Sequence, residues 1–208
     1  AVFTSRRWQR LSMQVEGAGP SNGGLRWLAL GSVSLVFIQL VLGGSMRHQH
    51  AGLAIPDFPL AYGKLWPPID AASLEAANRR RLDVRDQKPI TALHIVLHMA
   101  HRVGAICALF AAGWLAWRAR RQLGAAAALS KATLAWFGVL VLQAAFGAAT
   151  VWSDKAADVA TAHVLLGAIS LVMGSILYVI LIRISQRPEN AFSRSGAGQA
   201  DVTRISGA

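Results

Sequence analysis

Residues 91–117 read TALHIVLHMAHRVGAICALFAAGWLAW. The stretch is long enough to cross about 30 Å of hydrocarbon, which takes roughly 20 mostly apolar residues. It is nevertheless crossed by His94, His98, His101 and Arg102, side chains that are costly in lipid and read as functional there. Three more stretches have the same character: residues 25–46 (LRWLALGSVSLVFIQLVLGGSM), 132–152 and 159–184. None alternates polar and apolar residues over the roughly ten-residue segments that a membrane barrel needs. The fold class expected is all-α, a polytopic membrane four-helix bundle.

Composition points the same way. The 208 residues carry a formal charge of +11, but only 15% are charged and 54% are apolar. A soluble domain has about 25% charged residues. The isoelectric point near 11.4 would suit a nucleic-acid binder, yet a mean hydropathy of +0.40 argues against a soluble one. The apolar fraction excludes disorder for the chain as a whole. Cys107 is the single cysteine, so no disulfide scaffold is available. The basic residues are read instead as facing an anionic leaflet.

Arg6, Arg7, Arg10 and Arg26 precede the first span. Arg118, Arg120, Arg121 and Lys131 lie between the second and third, and Arg183, Arg187, Arg194 and Arg204 near the C-terminus. By the positive-inside rule these three groups are cytoplasmic. The organisation expected is a cytoplasmic segment 1–24, a four-span bundle 25–184 with an outer loop 47–90, and a disordered cytoplasmic tail 185–208. The outer loop carries Arg79, Arg80, Arg81, Arg85 and Lys88, which oppose this orientation. The opening AVFTSRRWQR looks like the cytoplasmic exit of an earlier, missing span.

The two halves of the bundle echo one another. Gln39-Leu40-Val41-Leu42-Gly43-Gly44 in the first span matches Gln143-Ala144-Ala145-Phe146-Gly147-Ala148 in the third. His101, shortly before Gly104-Ala105-Ile106, matches His163 before Gly167-Ala168-Ile169. Small residues let helices approach closely in lipid. Two repeated hairpins packed about a pseudo-two-fold axis would bring His101 and His163 together.

Opposed histidines on two helices suit bis-imidazole ligation of a haem iron. Copper, zinc or a proton relay compete with that reading. Zinc wants close-set ligands, whereas His94 and His101 lie roughly 10 Å apart along a helix. Simple interhelical hydrogen bonds are the plain alternative, above all for His94. Arg102 needs a partner at its depth, a haem propionate or the headgroup edge. Arg47 is a second propionate candidate, or an interfacial cation that snorkels. Four prolines (56, 59, 67, 68) break the start of the outer loop, and Phe58, Tyr62 and Trp66 suit a cap over a pocket. Residues 71–82 are expected to form a short helix lying on the membrane. His48 and His50 could bind metal or be merely exposed.

A span ending Gly43-Gly44-x-x-Arg47, the loop AGLAIPDFPLAYGKLWPP (51–68), the helix segment HMAHRVGA (98–105) and the last span's AHVLLGA (162–168) together resemble the haem A synthase family. The resemblance runs from about Leu25 to Ile184. It implies one four-helix half of an eight-span fold, the C-terminal half, or a half-size chain that forms a homodimer. It further implies oxidation of the C8 methyl of haem O to a formyl group, giving haem A for terminal oxidases. His101 and His163 are then the axial ligands of haem b. The other half of such proteins has a carboxylate three residues before its first histidine; here His98 stands there, so no catalytic residue is assigned. The family's outer-loop cysteine pair is absent, and Cys107 is expected to be a small buried residue.

The expectations that follow are a multi-pass protein of the bacterial plasma membrane with both termini cytoplasmic, and haem O and haem A as substrate and product. The electron donor is unassigned, and haem O synthase is a candidate partner for the basic loop. A b-type cytochrome relaying electrons from quinol and a non-catalytic membrane assembly subunit are the alternatives.

Overall fold

The computed structural model describes residues 23–85 and 89–185. The disordered tail and nearly all of the N-terminal segment expected from the sequence lie outside these residues. The chain forms α1 (Gly23–His48), a 3₁₀ turn (Ala51–Leu53), α2 (Ala71–Arg85), α3 (Ala92–Leu123), α4 (Ala128–Trp152) and α5 (Ala157–Ser185). Four of these, α1, α3, α4 and α5, are long and apolar enough to cross a membrane. No strand occurs among the described residues.

The helices overrun the apolar stretches that announced them. α3 continues past Trp117 to Leu123 because Arg, Ala, Gln and Leu are good helix formers outside lipid as well. It stops at Gly124, whose φ of 82° is open to glycine. At its other end Thr91 caps the helix: its hydroxyl accepts the His94 N–H, and the His94 ring accepts the Thr91 N–H. His94 is thereby employed in a capping box.

Each spanning helix packs against the next in sequence, and α5 closes the ring against α1. α1, α3, α4 and α5 therefore form an up-down-up-down bundle. Its outward surface is apolar, with Phe37, Val41, Ile106, Phe110, Leu142, Val164, Leu165 and Val172 exposed, as lipid requires. Cys107 is exposed on this surface too. The expectation that it is buried fails because α3 turns that face away from its neighbours.

Inside, the bundle is layered. Toward the end where α1 begins and α3 finishes, an apolar core gathers Leu25, Val36, Leu115, Trp136, Leu140 and Leu177. Trp136 is completely buried there, and its indole N–H donates to the Ser170 carbonyl at 2.7 Å. At the opposite end Ala54, Ile55, Ala61, Ile90, Ile95 and Met99 form a second apolar cluster. Between the two lies a layer of polar side chains.

Residues 49–70 make the irregular cover over that opposite end. The Asp57 carboxylate accepts the N–H groups of Tyr62 (2.7 Å) and Gly63 (2.8 Å). Tyr62 has a φ of 53°, which costs a bulky residue strain. That carboxylate and the hydrogen bond from the Tyr62 hydroxyl to the Ala54 carbonyl hold it there. Asp70 caps α2 by accepting the Ser73 N–H at 2.9 Å. Asn78 of α2 grips the backbone before α3, bonding both the N–H (2.7 Å) and the carbonyl (3.0 Å) of Ile90. Leu74 and Ala77 pack on the second cluster, so α2 has one face against the cover.

Candidate functional site

The polar layer draws one Gln or His from each spanning helix: Gln39 from α1, His101 from α3, Gln143 from α4 and His163 from α5. The rings of His101 and His163 face one another, with centroids 6.5 Å apart and planes at 82°. Sequence reasoning expected these two to meet, and they do.

Glycines make the approach possible. A Cβ on Gly43 would lie 3.3 Å from Cε1 of His101, and one on Gly147 only 3.0 Å from Cε1 of His163. The exchange also runs the other way. The Gln39 amide occupies the space that a Cβ on Gly104 would take, and the Gln143 amide nitrogen stands 2.7 Å from where a Cβ on Gly167 would be. A histidine on one helix thus lies against a glycine of its partner, and a glutamine lies against a glycine in return.

Hydrogen bonds hold one ring and the backbone of the other histidine. The His163 Nδ1–H donates to the Gln143 carbonyl at 2.9 Å. A carbonyl only accepts, so Nδ1 carries the proton and Nε2 keeps its lone pair. The Gln39 amide nitrogen donates to the His101 carbonyl at 3.1 Å. Nδ1 of His101 and Oε1 of Gln39 are buried without hydrogen-bond partners. Unsatisfied buried polar atoms are rare, and here two sit in one layer.

The other expected residues have separate employment. His98 is buried, and its Nδ1 accepts the Ile55 N–H at 3.4 Å, tying α3 to the cover. Arg102, expected to meet a propionate or the headgroup edge, donates to the carbonyls of Leu60 (2.8 Å) and Asp57 (2.6 Å). Its guanidinium also lies 5.4 Å from the Phe58 ring centroid. These bonds tie α3 to the cover through Arg102. Arg47 is exposed in the last turn of α1, and its guanidinium has no hydrogen-bond or ion-pair partner among the described residues. His48 and His50 are exposed.

Sequence reasoning did not single out Trp152. Its indole N–H donates to the Phe58 carbonyl at 3.2 Å and its ring meets Phe58 edge-on at 5.8 Å. Its only signal was position, an aromatic at the end of a span. No group of three or more His, Cys, Asp or Glu side chains among the described residues could hold a metal ion. A site built wholly from protein ligands is thus not what the layer offers. Two facing imidazoles match an iron whose four other ligands come from a porphyrin.

The model of the cytochrome oxidase assembly protein family COX15-CtaA matches residues 1–175. The chain belongs to this family, the haem A synthase family. Comparisons with curated proteins and with solved structures gave no match. The work of the haem A synthase family is haem A synthesis in cytochrome oxidase assembly. The matched region includes Gln39, His101, Gln143 and His163, so the whole polar layer lies within it.

Proposed function

We propose that His101 and His163 are the axial ligands of one b-type haem, and that the chain is the haem-bearing half of a haem A synthase. The observation that carries this reading is the spacing of the rings. With centroids 6.5 Å apart, the two rings would leave room for one metal ion at about 2 Å from a nitrogen of each. The Nδ1–H bond of His163 to Gln143 adds support, because a metal-binding histidine almost always donates its other nitrogen to an acceptor. Gly43 and Gly147 leave the rings the room they occupy.

Haem held by His101 and His163 would supply one-electron transfer. The chain's own part is to orient the His163 ring from the Gln143 carbonyl, to hold the His101 backbone with the Gln39 amide, and to cover that end of the bundle with residues 49–70. Oxidation of the haem O methyl then belongs to a site completed by a second half or a second copy of the chain. The location that fits the four spans and their charges is the bacterial plasma membrane, with both termini cytoplasmic and the cover outside.

The test is a pyridine haemochrome spectrum of the detergent-purified chain made with ample haem. One b-type haem per chain is expected. Folded protein without haem would overturn the reading and favour a non-catalytic assembly subunit. Haem A in membranes co-expressing the chain with a source of haem O, and with its second half where one exists, separates a synthase from a quinol-fed b-type cytochrome.

A further inference from the structure

On the outward surface of the bundle a depression lies between α3 and α4. Ile106, Phe110, Trp114 and Trp117 of α3 form one wall, Phe137 and Val141 of α4 the other, and Gly113 opens the floor. A Cβ on Gly113 would approach Phe137 to 3.2 Å, so the cleft depends on that glycine. From Ile106 to Trp117 the helix rises about 16 Å. That is about half of a 30 Å hydrocarbon core, the depth of one leaflet.

The charge at its mouth indicates what fills it. The Arg121 guanidinium lies 5.5 Å from the centroid of Trp117, the last aromatic of the wall. Arg121 is exposed and has no carboxylate partner among the described residues. Arg26, Arg118, Arg120 and Lys131 lie at the same end of the bundle, and no Asp or Glu occurs in residues 23–48, 92–153 or 159–185. A leaflet-deep apolar cleft ending at an unpaired guanidinium complements one acyl chain and one anionic headgroup. A second copy of the chain suits it less well, because helix pairs in lipid use flat, small-residue faces and this wall is aromatic.

We propose that this cleft is a binding site for an anionic glycerophospholipid of the leaflet at the basic end, its phosphate on Arg121 and one acyl chain against Trp114, Trp117 and Phe137. The test is native mass spectrometry of the purified full chain titrated with phosphatidylglycerol or phosphatidylcholine of the same acyl chains. One phosphatidylglycerol per chain is expected, about fivefold tighter than phosphatidylcholine, the worth of one basic residue near a surface. Arg121→Gln should abolish the preference, Arg120→Gln should keep it, and Gly113→Leu should expel the lipid. Arg121→Gln is an exposed change and decides the matter even where Gly113→Leu fails to fold. Equal binding of the two lipids, equal loss in both arginine variants, or a lipid-free dimer would overturn the proposal.

Discussion

The Nδ1–H of His163 is held by the carbonyl of Gln143 at 2.9 Å, which leaves Nε2 as the ring's free lone pair. The His101 ring stands opposite with its centroid 6.5 Å away, whereas His94 is spent on a helix cap. His101→Ala and His163→Ala are therefore each expected to abolish haem binding, while His94→Ala keeps it. Haem-to-protein absorbance ratios of the three purified variants check this. Equal effects at all three positions would undo the ligand assignment.

Gly147 and Gly138 occupy the same helix in opposite circumstances. A methyl at 147 would press on His163 at 3.0 Å, whereas one at 138 would meet nothing within 4 Å. Gly147→Ala is expected to cost about 1–3 kcal/mol through overpacking and to weaken haem binding by displacing the ring. Gly138→Ala should be neutral or stabilising, by up to about 1 kcal/mol. Thermal unfolding in detergent, with haem content measured alongside, separates the two.

Arg102 bonds backbone carbonyls 42 and 45 residues away. Arg102→Leu should free the cover at a cost of about 1.5–3 kcal/mol, the range for hydrogen bonds to charged groups. Faster amide exchange over residues 54–63 with haem retained would mark the arginine as a clamp. Haem loss with unchanged exchange would support the propionate role expected from the sequence.

The contrast between His101 and Arg102 explains how much could be read in advance. A span must be a run of about 20 apolar residues, so all four were legible, as was the meeting of His101 and His163 from matching positions in two hairpins. Arg102 was marked as needing a partner, but its partners are loop carbonyls, and no periodicity foretells an irregular fold. The histidines four and three apart on α3 looked equivalent by spacing. The structure gives them three tasks because the layers that they reach differ: a helix cap, the cover and the polar layer. Trp136 and Ser170, 34 residues apart, were illegible for the same reason.

Asp70 offers a pH test outside the membrane. The Ser73 N–H on its carboxylate holds its pKa below the ordinary 3.8. A depressed carboxylate stabilises the fold above its unfolded-state pKa, and this is lost as the pH falls through the folded one. The start of α2 should therefore fray only below about pH 4. In Asp70→Ala it should fray already at neutral pH. Helical chemical shifts of residues 71–75, followed through an acid titration, read both effects.

Trp136 and Gly174 test whether the apolar core is a fitted pair. A Cβ on Gly174 would stand 2.6 Å from the indole's Cζ2, so Gly174→Ala should destabilise by about 1–3 kcal/mol through overpacking. Trp136→Phe removes the 2.7 Å bond to Ser170 and opens a cavity, and should cost about 1–3 kcal/mol. Combined, the alanine methyl enters space that the smaller ring has vacated. The double variant should then be more stable than the two losses added together, with a coupling of about 0.5 kcal/mol or more. Additive losses in unfolding experiments would mean that the indole moves aside for a methyl at 174, and that the glycine does not set the spacing of α4 and α5.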